Sequence, residues 1–100
     1  MLEISVIIPH FNDLANLDRC LALLEKQTLD RARFEIVVAD NGSRCGFDRV
    51  REAVAGRGKV VLASEPGAGL ARNSGVEASQ GRLLAFLDSD CRPEPGWLEA

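Results

Sequence analysis

The chain lacks several things at once, and each absence closes off a class of function. It has no basic surplus: 12 Lys and Arg against 15 Asp and Glu give a net charge of −3, with a pI near 5.1. No positive field therefore draws it to nucleic acid or anionic lipid, and a phosphate-bearing partner must be held by local groups or a bridging cation. No stretch approaches the ~18 apolar residues of a membrane span. The opening MLEISVIIP has no basic n-region, and its apolar run is too short for a signal peptide. The cysteines, Cys20, Cys45 and Cys91, are odd in number and lack metal-ligand spacing, which predicts a reduced, cytosolic setting rather than a disulfide framework. His10 is the only histidine, with no second partner in sight for a catalytic dyad. Gly67 and Gly69 sit in a glycine-rich stretch, SEPGAG, but the Gly-Lys-Ser/Thr of a Walker motif and the third glycine of a dinucleotide fingerprint are missing. There is no internal repeat and no low-complexity segment.

What is present is an ordinary globular balance, 46% hydrophobic and 27% charged, in a length that makes one domain or part of one. Ile4 to Ile8 (ISVII) is short, β-branched and mostly apolar, and Pro9 is expected to stop it; that is a strand buried on both faces, as in a parallel sheet. Leu14, Leu17, Leu21 and Leu24 fall at helical spacing, with Asn12 or Asp13 placed to cap the first turn. Phe34 to Ala39 (FEIVVA) is a second buried strand, closed by Asp40, Asn41, Gly42 and Ser43. Phe47, Val50 and Val54 mark a short helix ending around Gly56 and Gly58. A third strand covers Lys59 to Ala63, a small-residue helix covers Leu70 to Gln80, and a fourth strand covers Arg82 to Leu87. The alternation predicts right-handed βαβ crossovers and an α/β fold: an open, mainly parallel, Rossmann-like sheet with flanking helices. In such a sheet all four strand ends lie along one edge, where open α/β sheets bind ligands.

The stretch LLAFLDSDCR places Asp88 and Asp90 on that edge. An Asp-x-Asp arises readily by chance in a chain with seven aspartates, so its position carries the meaning. Residues i and i+2 of a strand start out on one face, and two carboxylates held that close repel unless a cation lies between them or one is protonated. Hard oxygen donors at this spacing suit Mg²⁺ or Mn²⁺ shared with substrate phosphates; the competing reading is a pair of solvated loop carboxylates capping a helix near Pro93 to Trp97. Pro9, Phe11 and Asn12 offer a rigid turn, a stacking ring and an amide, and Asp40 and Asn41 offer an acceptor and an amide for a base or ribose edge. Each of these residues also has a purely local use: Phe11 as a staple for the next helix, Asp40 to Ser43 as turn chemistry. Arg72 stands ready for a phosphate or as an ordinary surface arginine. Cys91 reads as a small semi-buried thiol, and Trp97 as a helix anchor.

Taken together, SVIIPHFN, FEIVVADNGS and GAGLARNSGVEASQGRLLAFLDSDCRPEPGWL resemble, in order and spacing, the nucleotide-sugar-binding half of family-2 glycosyltransferases of GT-A fold. The resemblance implies that residues 1–100 bind a nucleotide-diphosphate sugar donor. It places Pro9, Phe11, Asn12, Asp40, Asn41, Arg72, Asn73, Asp88 and Ser89 against the nucleotide, with Asp90, joined by Asp88, holding Mn²⁺ or Mg²⁺. It further implies an inverting transfer to an acceptor hydroxyl of a sugar, lipid or polysaccharide, in the cytoplasm or at the inner face of the membrane. The catalytic base and the acceptor half are expected beyond residue 100, so the chain is expected to be truncated and inactive alone. Half a sheet would leave apolar surface uncovered, with self-association as a consequence. Two positions depart from the family: Asn41 where a second aspartate is frequent, which leaves the base open among UDP, dTDP and GDP, and Phe11 where tyrosine is frequent. A sugar-phosphate nucleotidylyltransferase would carry a glycine-rich, basic loop after the first strand, where this chain has PHFNDLAN. A non-catalytic nucleotide-binding or phospho-acceptor regulatory domain would need an acidic cluster there and a late lysine; Asp13 is a thin start on the first.

Overall fold

The computed structural model describes residues 2–63 and 68–99. Four strands, β1 (Ile4–His10), β2 (Phe34–Asp40), β3 (Lys59–Leu62) and β4 (Leu83–Phe86), alternate with three helices, α1 (Leu14–Leu24), α2 (Phe47–Val54) and α3 (Ala68–Ala78). The strands form a single sheet in the order β3-β2-β1-β4, every pairing parallel. Short 3₁₀ turns at Arg31–Arg33 and Trp97–Glu99 complete the described elements. The expected helix near Pro93 is only the second of these turns, and the loop at 64–67, Gly67 included, lies outside the described residues. No helix among the described residues is long and apolar enough to cross a membrane.

Alternation along the central strands sorts the helices into two layers. Val6 and Ile8 of β1 and Ile36 and Val38 of β2 join Leu17, Leu21 and Leu24 of α1 and Val50 and Val54 of α2 in one core. Each such fully buried side chain contributes about 1.5–3 kcal/mol. Ile7 and Ala39 face the other way, against α3. The approach there is so close that a Cβ on Gly75 would lie 2.5 Å from Ile7 Cγ2, which explains a glycine inside a helix where its backbone entropy is otherwise a cost. Edge strand β4 leaves Leu83, Leu84 and Phe86 exposed, the apolar surface on which the expectation of self-association rests.

Pro9 does not stop β1. The strand runs on to His10, with Pro9 opposite Ala39 and His10 opposite Asp40. The carbonyls of Glu3 and Ile7 accept from Leu83 and Leu87 in the β4 segment, whereas that of His10 accepts from Asn41 beyond β2. Odd residues of β1 thus face β4, and even ones face β2. Pro9 lacks an N–H on the β4 side alone. It ends that ladder, and the chain leaves the sheet after Leu87.

The opposite edge is held by a clamp around Glu35. Its carboxylate accepts from Ser5 Oγ and the Gln80 amide, each at 2.6 Å, and pairs with Lys59 Nζ at 3.1 Å. Burial pushes the Glu35 carboxyl up, but the hydrogen bonds from Ser5, Gln80 and Lys59 outweigh it and hold the group below its ordinary 4.5. A pKa lowered by folding gives stability that is complete above the unfolded value and lost as pH falls through the folded one. Thermal melts from pH 7 to pH 3 should therefore show wild type losing its advantage over Glu35→Gln below about pH 4.5. Parallel acid limbs in the two proteins would contradict the clamp.

Candidate functional site

At the carboxyl edge, β1 and β2 finish together and their last side chains meet. His10 Nδ1 lies 3.0 Å from Asp40 Oδ1, both side chains fully buried. Ser43 Oγ donates to the same oxygen at 2.6 Å, and the Ser43 amide donates to Asp40 Oδ2 at 3.1 Å. A buried carboxylate needs such partners, because an unpaired one would cost several kcal/mol. The circuit also holds the turn after β1: the Asn12 amide donates to Ser43 Oγ at 2.9 Å, and the Asp13 amide to His10 Nε2 at 3.0 Å. Asn12 Oδ1 accepts from the Arg44 amide at 2.7 Å. Gly42 takes φ +81°, a left-handed conformation that suits glycine in this turn.

Beyond β4 lies the acidic pair. Asp88 and Asp90 are not strand neighbours, because the sheet has ended: the Cys91 amide donates to the Asp88 carbonyl at 3.0 Å, closing a tight turn. The turn nevertheless gathers them. One ligand atom each from Asp88, Asp90 and Cys91 lies within 4.8 Å of the others, and all three residues are exposed. Arg72 of α3 sets Nη2 3.5 Å from Asp88 Oδ1; an ion pair this open to solvent contributes under about 1 kcal/mol.

Between these two constructions opens a cleft of about 290 Å³, lined by Pro9, His10, Phe11 and Asp13 after β1, Asn41 after β2, and Asp88, Ser89 and Asp90 after β4. Successive strands run outward from β1 to β3, and the chain then crosses to β4 on the other side of β1. The cleft therefore occupies the point where strand order reverses, the usual ligand position in open α/β sheets. Phe11 is 51% exposed there, a ring held out rather than stapled into the core.

The structure thus brings together six of the expected residues: Pro9, Phe11, Asn41, Asp88, Ser89 and Asp90. Two others stand behind them. Asp40 is buried, its carboxylate used by His10 and Ser43, and Asn12 ties the β1 turn to Arg44 instead of capping α1. Asp13 makes no side-chain cap either; its carboxylate accepts from Asn16. Arg72 reaches the cleft through Asp88, while Asn73 is exposed on α3. The residues missed were His10, Ser43, Asp13 and Cys91. His10 and Asp40 could have been paired from strand register, each being the last residue of its strand. Cys91 adjoins Asp90 in the sequence but was read as a semi-buried thiol, whereas the turn leaves it exposed beside the carboxylates.

The three thiols sort cleanly. Cys20 is buried in the core, and burial, with Cys91 and Asp90 adding to it, pushes the thiol up to about 11. Cys45 and Cys91 are exposed. Alkylation of the folded chain followed by mass spectrometry should label Cys45 and Cys91 and spare Cys20, and Mn²⁺ should slow labelling at Cys91 alone. Equal rates at Cys45 and Cys91 with and without the ion would contradict a cation site at this turn.

Comparison with known proteins gives the chain its family. The sequence profile of glycosyl transferase family 2 matches residues 5–100. Glycosyltransferase AglE of Haloferax volcanii is 38% identical over 100 residues, which cover 96% of this chain and 33% of that protein. Among solved structures, S. aureus TarS in complex with UDP-GlcNAc superposes with a TM-score of 0.85 at 27% identity, over 98% of this chain and 29% of that one. Glucosyl-3-phosphoglycerate synthase of Mycobacterium tuberculosis, solved with Mn²⁺, UDP and glucosyl-3-phosphoglycerate, superposes with a TM-score of 0.74 at 25% identity, over 94% of this chain and 36% of that one. The chain spans about a third of the curated relatives it matches. Its all-parallel sheet is that of GT-A glycosyltransferases, and the chain belongs to glycosyl transferase family 2.

Proposed function

We propose that this chain forms the donor-binding part of a metal-dependent, inverting glycosyltransferase, which moves a sugar from a nucleoside diphosphate to an acceptor hydroxyl. One observation carries the reading: an exposed ring and an amide on one wall of the cleft face a cluster of carboxylates on the other. Phe11 lies against the base, with the Pro9 backbone beneath it, and Asn41 meets a base or ribose edge. Asp88 and Ser89 serve the ribose and diphosphate side, with Arg72 paired to Asp88. Asn12 and Asp40 act on the nucleotide from behind the wall, and Asn73 from α3.

The donor set fits a divalent cation. Asp88 and Asp90 provide the hard oxygens that Mn²⁺ and Mg²⁺ favour; the softer sulfur of Cys91 lies close by and stays outside that donor set. A cation held there would supply positive charge that stabilises a diphosphate leaving group. We assign the base that takes the acceptor's proton to a part of the protein outside this chain, so that the chain alone binds donor without turnover. The UDP-GlcNAc bound to S. aureus TarS and the Mn²⁺ and UDP bound to the mycobacterial synthase support this reading. The acceptor, whether sugar, lipid or polysaccharide, meets the donor outside this cleft. A cytoplasmic reaction, at the inner membrane face for a lipid acceptor, agrees with three unpaired thiols.

Calorimetric titration with UDP, dTDP and GDP, each with and without Mn²⁺, tests the assignment. One nucleotide should bind only when Mn²⁺ is present, and Asp90→Ala should weaken that binding by roughly tenfold or more. A folded chain that binds none of the three contradicts it.

A further inference from the structure

The His10 side chain is fully buried beneath the cleft, and both ring nitrogens are engaged. Nε2 accepts the Asp13 N–H at 3.0 Å, so it carries no proton, and the proton sits on Nδ1, facing Asp40 Oδ1 at 3.0 Å. Ser43 Oγ, 3.4 Å from Nδ1, completes the group by accepting the Asn12 N–H. The amides of Asn12 and Asp13, the two residues that follow Phe11, are thus both fastened to one buried His–Asp–Ser cluster. The turn gains from this fastening: Asn12 holds φ 52°, a left-handed conformation that asparagine adopts more readily than most residues but at a free-energy cost that surrounding bonds must offset.

We propose that His10 is a positioning residue for the nucleotide subsite. Through Asp13 it sets the turn that presents Phe11 to the cleft, and through Asp40 it ties that turn to the end of β2. The inference rests on reading the cleft as a nucleotide site and extends it in two ways. Presentation of the stacking ring is preorganised by a buried network, and the wall at the end of β2 meets the base with the neutral amide of Asn41 rather than with the charge of Asp40. A histidine that merely filled space would influence stability and leave nucleotide affinity alone.

Two variants separate its two hydrogen bonds. In His10→Asn the side-chain N–H takes the place of Nδ1 and still reaches Asp40, while the Asp13 amide loses its acceptor. In His10→Gln an acceptor takes the place of Nε2, and the donor to Asp40 is lost. With UDP, dTDP and GDP in the presence of Mn²⁺, the nucleotide that binds wild type should bind His10→Ala about tenfold more weakly, with Asn and Gln in between at unchanged far-ultraviolet circular dichroism. If His10→Ala does not fold, weaker binding by the Asn and Gln variants carries the same meaning. A histidine-selective ¹⁵N spectrum, its signal assigned by loss in His10→Asn, should show a neutral ring protonated on Nδ1 that shifts when nucleotide is added. Folded variants that bind as wild type does, with a ring signal indifferent to nucleotide, overturn the inference and leave the donor-site reading intact. Wild type that binds none of the three nucleotides overturns both.

Discussion

Everything at the carboxyl edge follows from how β1 and β2 pair. Seven residues of each strand run parallel in unbroken register, from Ile4 opposite Phe34 to His10 opposite Asp40. Their last side chains therefore arrive together in the interior, one imidazole and one carboxylate. Apart, each would be a buried polar group in need of a partner; together, with Ser43, they satisfy each other. The turn after β1 and the loop after β2 are then tied to one cluster, and the wall of the cleft is built from main chain held by its hydrogen bonds.

The two acidic centres are treated in opposite ways, and the difference suits different work. Asp40 is enclosed and spends its charge on internal donors. Asp88 and Asp90 stand in solvent, with Arg72 paired to the first of them, where water supports the charge of both. That arrangement costs the fold little and leaves the oxygens available to a cation. Its location is decided by a residue on another strand: Pro9 has no N–H for the next rung with β4, so the chain peels away after Leu87 and turns at Asp88 to Cys91.

Much of this was legible in the sequence, for identifiable reasons. The β-branched runs at Ile4 and Phe34 and the leucine spacing from Leu14 mark buried strands and an amphipathic helix, and their alternation implies the parallel sheet and its edge. Placement of Phe11, Asn41 and Asp88–Asp90 on that edge needed nothing more. The failures share a cause, which is that one strand's chemistry depended on its neighbour's. Pro9 looked like a strand end because its effect falls on the β4 side alone. The burial of Asp40 was not legible because its partner lies 30 positions away, and Cys91 was read as semi-buried although the turn leaves it exposed beside the carboxylates.

The central claim is that cation and nucleotide share the one cleft where β1, β2 and β4 end. Amide spectra of the ¹⁵N-labelled chain, recorded with UDP, dTDP or GDP as Mn²⁺ is added in small steps, test it most directly, because the paramagnetic ion broadens signals near itself. The account predicts early loss of the amides of Asp88 to Cys91, followed by Phe11 and Asn41, while Ser5, Glu35 and Gln80 at the opposite edge stay sharp. Broadening centred on that opposite edge, or spread evenly over the chain, would contradict it.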